Sequence, residues 1–233
     1  MPLALLAALA GAVVQAATGF GFALVLSPAL FAVLEPAEAV TALLLLGAAL
    51  SVLVLLEGHD VRSRLLAPML LASLPGLALG ALVLSALSKE TLQVGVGVAV
   101  VAAALWQLRH RAARALPASV AGVVSGALTT SISINGPPLV LWLEGEGVRP
   151  AEFRATLAAA FLALDVVGAA LIVSTHGSAA VDLEAVGPLL ACVLGGYWAG
   201  ALAFRRLDSE RFFPVVLALV VCTGIASVLA GVL

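Results

Sequence analysis

No charged side chain occurs in the first 34 residues, nor between Ala115 and Leu143, and between the remaining charges the chain is apolar for about twenty residues at a time. A hydrocarbon core about 30 Å thick is crossed by about 20 helical residues at about 1.5 Å each, so this spacing selects an all-α polytopic membrane protein. Of 233 residues, 63% are hydrophobic and 10% charged. A soluble domain needs roughly a quarter charged residues to coat its surface. A net charge of −2, with basic residues scattered in small clusters, excludes nucleic acid as a partner, and the apolar content excludes intrinsic disorder. Cys192 and Cys222 lie in apolar segments without metal-ligand spacing, so neither a disulfide framework nor a metal site is expected, and no cofactor. The opening MPLALLAALA lacks a cationic region and a cleavage zone, and is read as part of the mature chain.

Six apolar runs fit one crossing each: Ala37–Leu56, Leu65–Leu87, Thr91–Leu108, Ala155–Thr175, Ala185–Phe204 and Phe212–Leu233. The two uncharged stretches do not fit, because either one as a straight helix would extend about 45 Å. Both contain residues that weaken helices: Thr18-Gly19-Phe20-Gly21-Phe22 and Ser27-Pro28 in the first, Thr129 to Pro138 in the second. Each is read as two half-helices joined by a break. The competing reading is a pair of long, tilted, proline-kinked helices.

The halves repeat. An offset of 114 lays Pro36-Ala37-Glu38 on Pro150-Ala151-Glu152 and superposes the two breaks, while an offset of 120 pairs Pro68 with Pro188, Gly76 with Gly196, Gly80 with Gly200 and Glu90 with Glu210. Loop charges then separate the two treatments, since Lys and Arg concentrate in cytoplasmic loops. With each long stretch as a single crossing, five basic residues fall on one side and six on the other. With each as a re-entrant hairpin, Arg62, Arg64, Arg109, Arg111, Arg114, Arg149, Arg154, Arg205, Arg206 and Arg211 share one side and only Lys89 lies opposite. The expected architecture is therefore two inverted repeats, residues 1–108 and 116–233, each a broken or re-entrant helix pair plus three transmembrane helices. A cytoplasmic linker, 109–115, joins them, and both termini are expected on the non-cytoplasmic side.

Where the breaks meet, the expected substrate site gathers Gln15, Thr18, Gly19 and Gly21 with Thr129, Thr130, Ser131, Ser133, Asn135 and Gly136. Small hydroxyl, amide and backbone donors replace water around a solute, and half-helix N-termini add partial positive charge. The same hydroxyls could instead bond neighbouring helices. Asp165 is the one acidic residue deep in an expected span, so it must be partnered, exposed to water or protonated, and is the candidate for coupling to protons. The Gly76/Gly80 and Gly196/Gly200 pairs are expected to serve close helix packing. Trp106, Trp142, Tyr197 and Trp198 read as interface or packing aromatics, and His59, His110 and His176 as loop residues.

The string Gly11-x-x-x-Gln15-Ala16-Ala17-Thr18-Gly19-Phe20-Gly21-Phe22-Ala23-Leu24-Val25, followed by Ser125-Gly126-Ala127-Leu128-Thr129-Thr130 and Asn135-Gly136-Pro137-Pro138-Leu139-Val140, resembles the TauE/SafE family of sulfite and organosulfonate exporters over essentially the whole chain. Ile132-Ser133-Ile134 stands where many members are richer in glycine. The resemblance implies a multi-pass protein of the bacterial cytoplasmic membrane that exports a small anion such as sulfite, a sulfonate or a related oxyanion. Alternating access, with or without proton coupling, is the leading mechanism, and a passive anion channel through the same polar site is the alternative. An enzyme is not expected: there is no His-rich metal set, no Ser beside a His base and no phosphate-binding glycine loop. The expected partners are the substrate anion and the lipid bilayer, with a homo-oligomer left open.

Overall fold

The computed structural model describes residues 1–109 and 116–204. The expected crossing Phe212–Leu233, the basic residues of the 205–211 loop, Cys222, His110 and the core of the 109–115 linker lie outside them. The helices are α1 Pro2–Thr18, α2 Phe22–Phe31, α3 Pro36–Leu55, α4 Ser63–Ala86, α5 Lys89–Arg109, α6 Ala118–Ile132, α7 Gly136–Gly145, α8 Pro150–His176 and α9 Leu183–Phe204. Among the described residues there is no strand. Helices α3, α4, α8 and the segment Ser178–Leu202, which includes most of α9, are each long and apolar enough to cross a bilayer.

The helices begin where backbone chemistry favours it. Pro36 and Pro150 occupy the first helical positions of α3 and α8, where a missing N–H costs nothing. The backbone N–H of Glu35 donates to the Glu38 carboxylate at 3.0 Å, closing the α3 terminus.

Both long uncharged stretches are broken. Helix α1 ends at Gly19, in the left-handed region at φ 88°, whose N–H returns to the Gln15 carbonyl at 2.8 Å; Gly21 follows at φ 105°. Two left-handed residues so close together are cheap only without a Cβ. Helix α6 ends at Ser133, φ 58°, with the Ser133 and Ile134 N–H groups bonded back to the Thr129 and Leu128 carbonyls. After each break the chain doubles back. A Cβ built on Gly11 would lie 2.9 Å from the Phe22 carbonyl oxygen, and the Ser125 hydroxyl donates to the Asn135 carbonyl at 3.2 Å. Ser27-Pro28 makes no second break: Pro28 lies inside α2, every residue of which except Ala23 is buried. Within the fold, one released carbonyl is tolerated where protein surrounds the helix.

Packing partners are exchanged between the halves. Helix α4 packs on α6, α9 packs on α1, and α3 faces α8. The glycine pairs mark the two outer crossings. A Cβ on Gly76 or Gly80 would overlap the Val123 or Ala127 carbonyl oxygen, and one on Gly196 or Gly200 would lie 2.5 Å from that of Leu9 or 2.8 Å from that of Val13. Residue numbers rise together along both crossings, so α6 runs with α4 and α1 runs with α9. One end of the bundle, the Arg62 end, is tied by Arg62–Glu152 at 2.7 Å, by Arg149 on the same carboxylate and by Arg154–Glu57 at 3.1 Å. The opposite end carries Lys89–Glu35 at 3.1 Å and the Ser85–His176 contact at 3.4 Å.

The core is apolar on both sides of the α3/α8 contact, and so is much of the outside. Leu3 and Leu6 of α1, Leu71, Leu74, Leu79 and Leu82 of α4, and Leu202 of α9 all face outward. A water-exposed surface of that kind would associate, whereas hydrocarbon solvates it.

Candidate functional site

The two breaks meet. Gln15 and Gly21 from the first, Ser133, Asn135 and Gly136 from the second, and Asp165 from α8 line one cavity of about 30 Å³, closed by Phe22, Leu24, Leu43, Ile134 and Phe161. That is room for about one or two water molecules.

Its polar wall is a connected network. Asn135 Nδ2 donates to Thr129 Oγ1 at 3.1 Å and to Asp165 Oδ1 at 3.4 Å, the Thr129 hydroxyl donates to the Ser125 carbonyl at 2.7 Å, and the Ser125 hydroxyl returns to the Asn135 carbonyl. Asp165 is 5% exposed and, among the described residues, is the one ionisable side chain in the cavity wall. Gly47 of α3 makes room for it, since a Cβ there would lie 2.7 Å from Asp165 Oδ2.

The N-terminus of α2 forms another part of the wall. The first N–H groups of a helix have no partner within it. That of Phe22 donates to Gln15 Oε1 at 3.3 Å, and those of Ala23 and Leu24 belong to the same turn, at the positive end of the helix dipole. The N-terminus of α7 differs because Pro137 and Pro138 follow Gly136 and carry no N–H. The donors for an anion are therefore concentrated on α2 and Gln15.

Six of the eleven residues expected at the site line this cavity: Gln15, Gly21, Ser133, Asn135, Gly136 and Asp165. The others lie near it in different settings. Thr129 supports Asn135. Thr130 donates across to the Leu77 carbonyl of α4 at 2.7 Å, and Ser131 donates to the Ala127 carbonyl of its own helix at 2.7 Å. The Thr18 hydroxyl lies 2.9 and 2.7 Å from the Val14 and Phe20 carbonyls. Gly19 faces α8, where the Arg154 Cγ lies 3.0 Å from the position of a Cβ.

Two contributors were not read from sequence. Gly47 carries a signal, a glycine in the middle of an otherwise Leu- and Ala-rich helix. Arg154 carries one too, lying one turn inside the apolar α8 rather than in the preceding loop. Its Nη2 donates to the Ala16 carbonyl at 2.9 Å and to Glu57 at 3.1 Å, and Glu57 also accepts from the Tyr197 hydroxyl at 2.8 Å. Trp142 is a core residue, 1% exposed. Among the described residues no cluster of three or more His, Cys, Asp or Glu is arranged to hold a metal ion.

Comparison with known proteins returned one family and no individual relative. No curated protein and no solved structure matches the chain. The family model described as sulfite exporter TauE/SafE matches residues 3–227, nearly the whole chain and both breaks. That coverage, on an all-helical fold with membrane-length apolar helices, makes the chain a member of the sulfite exporter TauE/SafE family of membrane transporters.

Proposed function

We propose that the chain is a secondary transporter exporting a small oxyanion of the sulfite or sulfonate class by alternating access, with the cavity between the breaks as the substrate site and Asp165 as the coupling group. The observation that carries this reading is the presence, in one cavity, of the α2 N-terminus with Gln15 and of the Asp165 carboxylate. An anion on the α2 amides and a charged Asp165 repel each other. Proton binding at Asp165 and anion binding on α2 are then mutually favourable, as carriage of the proton together with the anion requires. A passive channel needs no such linkage.

The scaffold in this reading is a pair of inverted repeats, each with a re-entrant hairpin. The parallel run of α1 with α9 and of α6 with α4 supports it, because each hairpin then starts and finishes at the same end of the bundle, the Lys89 end for the first and the Arg62 end for the second. The Arg62 end is cytoplasmic in this scheme. In a background with Cys192 and Cys222 replaced by alanine, single cysteines at Gly147 and at Ser88 should react with an impermeant thiol reagent from opposite sides, Gly147 from inside and Ser88 from outside. Labelling of both from one side would overturn the topology.

Anion recognition is tested by thermal shift in lipid. A ligand at about 100 times its Kd adds about 2.7 kcal/mol to the folded state, so sulfite, thiosulfate, sulfoacetate, taurine and simple carboxylates can be ranked directly. Gln15→Glu sets a carboxylate beside the α2 amides and should weaken the best anion at least about tenfold, ~1.4 kcal/mol. Equal stabilisation of parent and variant would remove Gln15 and α2 from the site.

A further inference from the structure

A second, larger cavity of about 460 Å³ opens at the Arg62 end, walled by Ala16, Glu57, His59, Arg154, Tyr197 and Trp198. Its wall includes Ala16, the residue after Gln15 of the small cavity. The same wall carries a polar knot. Arg154 Nη2 holds the Ala16 carbonyl and the Glu57 carboxylate, and Glu57 holds the Tyr197 hydroxyl, which also donates to the Leu53 carbonyl at 3.1 Å. The Arg154 side chain is 17% exposed and that of Glu57 25%. The knot joins α1 and α3 of the first half to α8 and α9 of the second, so it cannot survive a movement of one half against the other. It is also where Arg154 meets the negative, C-terminal end of α1, directly before the Gly19 break.

Resting on the transporter reading above, we propose that the larger cavity is the vestibule through which the anion reaches the site, and that the Arg154–Glu57 pair, braced by Tyr197, is its closed gate. When Glu57 swings away, the guanidinium is left in the vestibule wall for the anion. The apolar wall of Leu53, Leu56 and Trp198 accommodates the organic part of a small sulfonate or carboxylate. The anion then passes from a guanidinium to the neutral amides of α2. Arg154 is thus a specificity-determining residue for access, separate from the groups that hold the anion in the site.

The test reads accessibility rather than transport. With Cys192 and Cys222 replaced by alanine, Ala23→Cys places a thiol in the wall of the small cavity, and an impermeant sulfonate-bearing methanethiosulfonate reports its exposure in nanodiscs. Glu57→Gln should raise the labelling rate at least about tenfold by removing the charge that holds Arg154 in the ion pair. Tyr197→Phe removes the hydroxyl that meets both Glu57 and the Leu53 carbonyl but leaves the ion pair, and should raise it about threefold, serving as the test if Glu57→Gln does not fold. Glu35→Gln, which breaks the ion pair with Lys89 at the opposite end, should leave the rate as in the parent. Parity of the Glu57 and Tyr197 variants with the parent, or acceleration by Glu35→Gln to the same degree, would overturn the gate. An accelerated rate in a protein that moves no anion would keep the gate and refute the transported substrate instead.

Discussion

Asp165→Asn is expected to abolish gradient-driven anion flux, a fall of at least about 100-fold, while anion binding stays measurable. Asparagine keeps the shape of the side chain and an oxygen for the Asn135 amide at 3.4 Å, and it fits the space left by Gly47, so the cavity wall survives. What disappears is the proton. Two like unit charges about 5 Å apart at an effective dielectric of about 20 repel by about 3 kcal/mol, roughly two powers of ten in affinity. In the proposed carrier, a carboxylate in the same cavity as the bound anion makes the anion's affinity depend on protonation by that factor, and this linkage turns a pH gradient into accumulation. The asparagine variant binds the anion with no dependence on protonation at this position and only equilibrates it. Flux into proteoliposomes under an imposed pH gradient separates the cases. Uphill transport at the parent rate would remove Asp165 from coupling, and non-saturating flux in both proteins would favour a channel.

The membrane-spanning fold was legible because its determinants are local. Apolar length set the helices: Ala37–Leu56 is realised as Pro36–Leu55 and Leu65–Leu87 as Ser63–Ala86, both long and apolar enough to span, and Thr91–Leu108 falls within the helix Lys89–Arg109. The breaks were legible for a similar reason, since Gly19 and Gly21 sit at backbone angles that glycine alone adopts readily. Ser133 gave a weaker signal, because a serine in the left-handed region costs about 1 kcal/mol or more and is stabilised by surroundings that no short motif encodes. The polar run from Thr129 to Ser131 was informative about place but not about role. Hydroxyls in helices satisfy themselves on carbonyls one turn back, as Ser131 does on Ala127, or on a neighbouring helix, as Thr130 does on Leu77. Arg154 shows the limit most plainly. Its position counts as loop charge in a topology argument, yet its contacts with Ala16 and Glu57 span 138 and 97 residues of sequence, and only the exchange of partners between the halves brings them together.

That exchange of partners depends on the glycines, and Gly80→Ala should be among the most damaging single-methyl additions to this chain. A Cβ at Gly80 overlaps the Ala127 carbonyl oxygen and the Thr130 hydroxyl, and comes within 2.9 Å of the Ala127 carbonyl carbon. Two of those atoms are backbone, so no rotamer change relieves the contact. The axes of α4 and α6 must separate, and with them goes the bond from Thr130 to the Leu77 carbonyl that closes the crossing. In hydrocarbon no hydrophobic term draws the helices back together, because the lipid is as apolar as the residues it replaces, and close packing is itself the main attraction. Overpacking of this kind costs about 1–3 kcal/mol, and the lost buried hydrogen bond adds about 1 kcal/mol, so a fall of about 2–4 kcal/mol in unfolding free energy is expected in mixed micelles. Gly187→Ala is the internal control. It sits on α9 with nothing described within 4 Å of an added Cβ, so the helix preference of alanine should leave the protein unchanged or more stable by up to about 1 kcal/mol. If the two substitutions proved equally mild, α4 and α6 would not be in backbone contact in the membrane, and the second hairpin would lose the surface that holds its break against Asp165.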